Sequence, residues 1–165
     1  MIDYISIKNT LVHLDSEFTS STDAQMPILL SKLGVLELCG WIETSVDIML
    51  YEYVSSHVID NDCKKGIEKI IKKNYGFHYD NNMFPLFCSV LGINNWENIL
   101  DVVSSTDFFN LKSITETYTT ERNKAAHTDT PIGTTRSYKA PSNVLNDFNL
   151  IKPAIQTLEN QIQKL

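Results

Sequence analysis

Residues 27–57 read PILLSKLGVLELCGWIETSVDIMLYEYVSSH, and apolar side chains recur in this stretch every three or four positions. This spacing predicts one α-helix of about thirty residues, which is longer than the usual globular helix. Because apolar side chains cover most of its surface, we expect the helix to lie at the centre of the fold. Charged residues recur through the stretch and exclude an ordinary membrane span, namely Lys32, Glu37, Glu43 and Asp47.

Other parts of the chain carry a single apolar stripe at helical spacing. The stripes lie within residues 4–18, 111–126 and 145–165. Pro153 falls inside the last stripe, where we expect it to kink or split the helix. No sustained alternation of apolar and polar residues is present, so no β-strand is expected.

The segments between the stripes are shorter and predict accessory helices. Gly76 is expected to supply the left-handed residue after the first of them, Gly92 is expected to close the next, and Asn94 with Glu97 has the spacing of a capping box. The sequence therefore predicts an all-α fold, an antiparallel helical bundle of four long helices with short accessory helices, as one domain over residues 1–165.

The spacing of the cysteines and the first ten residues indicate the cellular compartment. Cys39, Cys63 and Cys88 are far apart and form no C-x-x-C pair, which argues against a disulfide framework and a zinc knuckle. The opening MIDYISIKNT lacks the basic start and apolar run of a signal peptide. We expect a cytoplasmic protein that does not associate with membranes.

A net charge of −6 argues against general nucleic-acid binding, because affinity for a phosphate backbone comes largely from clustered lysine and arginine. One local exception is the segment CKKGIEKIIKKNYGF, which contains Lys64, Lys65, Lys69, Lys72 and Lys73. These lysines form either a solvated helix face or a local surface for RNA.

An arginine interrupts the stripe of residues 111–126. At about 100° per residue, one narrow helix face contains Leu111, Ile114, Tyr118, Arg122 and Ala125. Burying an unpaired guanidinium costs several kcal/mol, so Arg122 requires a partner or a wet groove. Its head group either reaches solvent or pairs with an acid, for which Glu43 is the candidate, or it binds an external anion.

Arg122 also begins the short string RNKAAH, which ends at His127. On a continuous helix His127 would point about 140° away from Arg122. The two side chains converge if the helix unwinds near His127, or if a second copy of the chain supplies its own pair.

The string RNKAAH resembles the R-x4-6-H motif of HEPN domains, in which a polar residue, here Asn123, directly follows the arginine. The predicted order of a late helix, a loop and a final helix is similar to that family. The central LELCGWIETSVDIML also resembles the family's long second helix, where an aromatic residue and an acid sit close together, here Trp41 and Glu43.

This resemblance implies a metal-independent endoribonuclease that needs no cofactor and works as a dimer, with two motifs meeting across the interface. The implied catalytic residues are Arg122, Asn123 and His127. An imidazole with an ordinary pKa of about 6.5 can exchange a proton with ribose or leaving-group oxygens, and arginine can stabilise the charge on the phosphorus. RNA-backbone attraction is assigned to Lys124 and to the helix that carries Lys69, Lys72 and Lys73.

Two classes of function remain open. The first is an RNA-cleaving effector of a bacterial toxin, stress or antiviral defence system, a homodimer with RNA as substrate and an antitoxin or regulatory protein as a further candidate partner. The second is a non-catalytic helical module that binds RNA, a nucleotide or a protein. The positions of Arg122 and His127 in the fold are the observation that bears most directly on this choice.

Overall fold

The computed structural model describes residues 1–126 and 137–165, and every regular element in these two ranges is helical. The elements in chain order are α1 (Tyr4–Ser20), α2 (Met26–His57), α3 (Asn61–Lys72), a π-helical turn (Tyr79–Met83), α4 (Phe84–Leu91), α5 (Ile93–Leu100), α6 (Ser105–Ala126) and α7 (Pro141–Ile162). The all-α prediction is therefore confirmed for the described residues. In the same residues, no helix combines the length and the apolar character needed to cross a membrane.

Helix α2 lies at the centre of the molecule and packs against α1, α3, α4, α6 and α7. It is 32 residues long and buries side chains on several sides, as its nearly continuous apolar pattern predicts. Fully buried positions along it include Val35, Leu38, Ile42, Leu50 and Val54. The position of most other helices is therefore set by their packing against α2.

Helices α1, α6 and α7 surround α2. Helix α1 contacts α2 and α7, and α6 also contacts α2 and α7. The first turn of α1 is capped by the Asp3 carboxylate, which accepts hydrogen bonds from the amides of Ile5 and Ser6. The aromatic rings of Trp41 on α2 and Phe148 on α7 meet edge to face with centroids 5.1 Å apart, which fills the space between these two helices.

Pro153 does not divide the last helix, because α7 continues through it from Pro141 to Ile162. A proline at this position cannot donate a hydrogen bond to the carbonyl of Asn149. Both Asn149 and Pro153 lie on the exposed side of α7, where water can satisfy that carbonyl. Of the two expected outcomes, a kink or a split, the split is therefore wrong.

The shorter helices differ from the prediction in how they begin and end. Gly92, with φ +85°, ends α4 as expected, but it also precedes α5, so Asn94 lies inside α5 and does not cap it. Helix α3 ends at Lys72 with Lys73 in right-handed conformation, so Gly76 is not its left-handed terminal residue. Gly76 instead belongs to the connection that follows, which borders the site described below.

Candidate functional site

Arg122 on α6 forms an ion pair with Glu43 on α2. The Arg122 Nη1 atom donates to Glu43 Oε1 at 2.9 Å, and the two side chains remain 39% and 26% exposed. The guanidinium carbon also lies 6.0 Å from the centroid of the buried Phe77 ring. The guanidinium is thus paired on one side, packed over an aromatic ring, and still open to solvent.

The neighbours of Arg122 on the same helix face are buried, which explains its position. Leu111, Ile114, Tyr118 and Ala125 all pack into the core. Helix α6 therefore lies on α2 with its apolar stripe inward, and Arg122 falls at the point where the stripe reaches the surface. The predicted stripe and the acid suggested for Arg122 both agree with this geometry.

Cys39 lies beneath this ion pair and carries no nucleophilic chemistry. Its Sγ atom is 3.7 Å from the carbonyl oxygen of Tyr118. Burial raises the pKa of the Cys39 thiol to about 12, while the charges of Arg122 and Glu43 act on it in opposite directions. The thiol therefore remains protonated at neutral pH and acts as a small core residue.

Arg122 borders a polar cleft with a volume of about 360 Å³. That volume falls within the usual range for ligand sites, about 300–1,000 Å³. The side chains that line the cleft include Glu43, Asp47, Lys72, Asn74, Tyr75 and Arg122. Two cations and two carboxylates share this space, so their formal charges cancel.

The two carboxylates of the cleft stand one helical turn apart on α2. Partial burial raises the pKa of the Asp47 carboxyl, and the negative charge of Glu43 raises it further. Glu43 has Arg122 as its partner, whereas Asp47 has no hydrogen-bond or ion-pair partner among the residues that the structure describes. Within the described residues, the Asp47 carboxylate at the cleft wall can therefore accept hydrogen bonds from a bound ligand.

The connection after α3 forms another wall of the cleft, and side-chain amides fix its shape. The Asn74 amide donates to the carbonyl of Gly76 at 2.9 Å, and the Asn82 amide donates to Asn74 Oδ1 at 3.3 Å. Gly76 has φ +150°, and a Cβ there would lie only 3.0 Å from Asn82 Oδ1. Tyr75, between these fixed residues, is 85% exposed.

The lysines predicted to attract RNA fall in different places. Lys72 lines the cleft with Arg122, while Lys69 and Lys73 are exposed on or directly after α3 and are not part of the cleft wall. Lys124 is exposed on α6 and its Nζ lies 2.6 Å from Glu121 Oε1. One lysine of the four therefore joins the arginine in the cleft.

The remaining motif residues lie at the end of α6. Asn123 is exposed and directly follows Arg122. His127 lies outside the described residues, which stop at Ala126 and resume at residue 137. Its predicted convergence with Arg122 stays a prediction.

Side-chain contacts tie the chain on both sides of residues 127–136 to the helices. The Tyr138 hydroxyl lies 3.4 Å from the carbonyl oxygen of Lys124, near the end of α6. Asp147 on α7 accepts from the Tyr118 hydroxyl at 2.9 Å and from Lys139 Nζ at 2.6 Å. Burial raises the pKa of the Tyr118 phenol, and the negative charge of Asp147 adds to this shift.

Within residues 1–126 and 137–165, no group of three or more His, Cys, Asp or Glu side chains is arranged to hold a metal ion. No known family model, curated protein or solved structure matches this chain. The geometry of the cleft is therefore the basis on which a function can be proposed.

Three residues of the cleft, Asp47, Asn74 and Tyr75, were absent from the sequence-based site. Asp47 lies on α2 one turn after Glu43 and joins the cleft because α2 packs against α6, whereas the consecutive residues Asn74 and Tyr75 join it because α3 packs beside α2. The one local signal is the turn-forming NYGF string, which marks a tight connection but does not indicate what it approaches.

Proposed function

We propose that this chain is a cytoplasmic, metal-independent endoribonuclease of the HEPN type, acting in a bacterial toxin, stress or antiviral defence system. The observation that carries the proposal is the position of Arg122, which is held at the wall of a polar cleft with its guanidinium only partly engaged.

A guanidinium has five N–H donors in a planar fork that suits phosphate oxygens. Glu43 accepts from Nη1, and among the described residues no other hydrogen bond to this guanidinium is present. The other donors of Arg122 are therefore free, within the described part of the chain, for an incoming phosphodiester. Glu43 then acts as the group that orients the fork.

The charge of the cleft limits what it can bind. Lys72 adds a second cation beside Arg122, but Glu43 and Asp47 oppose a long run of phosphates. Tight binding to duplex nucleic acid needs many phosphate contacts. A site with two cations and two acids suits one or two phosphates of a single strand.

In the proposed reaction the ribose 2′-oxygen attacks the adjacent phosphorus and the bond from phosphorus to the 5′-oxygen breaks. One imidazole removes the 2′-hydroxyl proton and a second protonates the departing 5′-oxygen, so the products are a 2′,3′-cyclic phosphate end and a 5′-hydroxyl end. His127 of each copy in a dimer supplies one of these groups. Arg122 stabilises the added negative charge on the phosphoryl oxygens, and Asn123 orients the phosphate or the imidazole.

A homodimer is part of the proposal because two imidazoles are required. Support comes from the surface of α2 beside the cleft, where Leu33 and Leu36 line an apolar groove against α1. Gly40 and Thr44 line both this groove and the cleft, so the two depressions adjoin. We propose that a second copy covers the groove and brings its own motif to the cleft, and that an antitoxin or regulatory protein controls access.

The same proposal extends to the arrangement of the long helices. Helices α1, α2, α6 and α7 are each at least 17 residues long, and α1, α2 and α7 all contact one another. Together with the contacts of α6 on α2 and α7, this supports an antiparallel bundle of the four helices. Such a bundle would hold Arg122 and Glu43 in fixed register.

The test is cleavage of total RNA or tRNA by the purified protein in the presence of a chelator. Arg122→Ala and His127→Ala should each lower the rate by about 100-fold or more, because each removes a group that acts in the transition state. Lys32→Ala, which changes a surface charge outside the cleft, should cleave like the parent. Equal cleavage by the parent and both site variants would contradict the nuclease proposal.

The ion pair of Arg122 with Glu43 also favours a second candidate, a non-catalytic module that binds RNA, a nucleotide or a protein. In that case the arginine fixes α6 against α2 and takes no part in chemistry. Binding of RNA without any cyclic-phosphate product, from a dimeric preparation checked by sedimentation, would support this candidate over the first.

A further inference from the structure

We propose that the cleft beside Arg122 contains a nucleotide subsite, in which Tyr75 stacks on one base, Asp47 accepts hydrogen bonds from that base, and Lys72 contacts its phosphate. This inference rests on the proposed function for the choice of RNA as ligand. It adds a base preference at the nucleotide next to the scissile phosphate.

Tyr75 has the properties of a stacking platform. Tyr75 is 85% exposed, although it lies between Asn74 and Gly76, which are held by hydrogen bonds from the side-chain amides of Asn74 and Asn82. A tyrosine side chain has only two rotatable bonds that orient its ring, so it loses little freedom when a base stacks on it. Base stacking on exposed aromatic rings is a common way to hold single strands.

Asp47 gives the proposed subsite its preference among the four bases. It lines the same cleft, is only partly buried, and has no hydrogen-bond or ion-pair partner among the described residues, so its carboxylate oxygens are open to a base. Guanine presents two adjacent N–H donors to a carboxylate, and adenine and cytosine each present an exocyclic amino group. Uracil has one N–H between two carbonyl oxygens, which a carboxylate repels, so it should bind least well.

Lys72 and Arg122 supply the phosphate contacts on either side of this nucleotide. Both line the cleft, and Lys72 forms no ion pair with any described residue. An ammonium group meets a phosphate as a point charge, whereas the guanidinium offers a directional fork. Lys72 therefore suits the flanking phosphate, and Arg122 suits the phosphate that reacts.

The experiment measures binding of 2′-O-methyl oligonucleotides, which lack the 2′-hydroxyl and cannot be cleaved. Four fluorescent hexamers, each with a different base at one position in a uracil background, are titrated by anisotropy. The parent protein should bind the guanine oligonucleotide most tightly and the uracil one most weakly. Tyr75→Ala should weaken binding of the guanine oligonucleotide roughly 5- to 150-fold, the range expected for one lost stack.

Three further variants separate the contributions. Tyr75→Phe keeps the ring and should restore binding to within about 2-fold of the parent. Phe109→Ala removes an aromatic ring that is 69% exposed on α6 outside the cleft, and should bind like the parent. Asp47→Asn, which retains the shape and removes the charge, should bring the affinities for the guanine and uracil oligonucleotides together.

The subsite is overturned if Tyr75→Ala binds like the parent, if the parent does not distinguish guanine from uracil, or if it binds none of the four oligonucleotides. Circular dichroism of each variant shows whether a loss of affinity reflects unfolding. Cleavage that depends on Arg122 with no effect of Tyr75→Ala on affinity would overturn the subsite alone. Guanine-selective binding without cleavage would support the subsite and contradict the nuclease proposal.

Discussion

Replacing Tyr118 with phenylalanine removes one hydrogen bond between α6 and α7 and keeps the buried ring. The Tyr118 hydroxyl donates to Asp147 Oδ2 at 2.9 Å, and the residue is fully buried. A hydrogen bond to a charged acceptor contributes about 1.5–3 kcal/mol. Asp147 keeps its contact with Lys139, so its charge stays compensated. We expect Tyr118→Phe to lower the free energy of unfolding by about 1.5–3 kcal/mol at neutral pH.

The same substitution should change how the free energy of unfolding depends on pH above about 10. Burial and the charge of Asp147 raise the pKa of Tyr118 above the value of about 10 that an unfolded tyrosine has. Above that pH the unfolded chain releases the phenolic proton while the native protein retains it. The stability that this group contributes is therefore complete below pH about 10 and is lost as the pH rises, by about 1.4 kcal/mol per pH unit.

Tyr118→Phe has no proton to lose at this position, so its stability should fall less steeply between pH about 10 and about 11. Part of the alkaline loss should remain, because the pKa values of Tyr4 and Tyr79 are also raised by burial, that of Tyr79 to about 12. The difference in slope between the parent and the variant isolates Tyr118.

The assay is urea unfolding followed by circular dichroism, at neutral pH and at several alkaline values. Tyr75→Phe is the matched control, because Tyr75 is exposed and should change stability by less than about 0.5 kcal/mol. A loss of less than about 0.5 kcal/mol for Tyr118→Phe, or an alkaline slope equal to that of the parent, would refute the reasoning.

Three other substitutions give distinct outcomes in the same unfolding assay. Glu43→Gln breaks a partly exposed ion pair with Arg122 and should cost less than about 1 kcal/mol, so a larger loss would mean that the pair is mainly structural. Glu159→Ala removes a buried acceptor of two hydrogen bonds from the N-terminal segment and should cost about 1–3 kcal/mol, and a neutral result would contradict those bonds. Gly76→Ala places a Cβ at 3.0 Å from Asn82 Oδ1 on strained backbone and should cost about 1–3 kcal/mol, whereas a stabilised variant would show that the connection adapts.

The periodicity of apolar residues predicted most of the helical framework, because burial of one stripe depends on local spacing. The stripe through Ile7, Leu11 and Leu14 gives α1, and the apolar stretch of residues 27–57 gives α2 almost to the residue. Helix ends were predicted less well. Helix α6 begins at Ser105, before the stripe at Leu111, because the Ser104 hydroxyl accepts from the Asp107 amide in the first turn and donates to the Asp107 carboxylate.

The ion pair of Arg122 could be predicted from the sequence, because a cation on an apolar stripe needs a counter-charge. Glu43 on the central helix is the acid that the sequence suggests for this role. The cleft was not accessible in the same way. Tyr75 approaches Arg122 only through tertiary packing of α3 beside α2, and Asp47, one turn after Glu43, joins the cleft through the packing of α2 against α6. Local spacing carries no information about such long-range neighbours.

Gly40, at the boundary between the apolar groove and the cleft, offers a position for an optical reporter. A Cβ added there would meet no atom of another element within 4 Å, so the position has room for the start of a side chain such as cysteine. Loss of glycine from a helix interior also tends to favour the folded chain. With the exposed Cys63 and the half-buried Cys88 changed to serine, a thiol-reactive dye at position 40 would report the binding of a nucleotide or of a second subunit as a change of fluorescence.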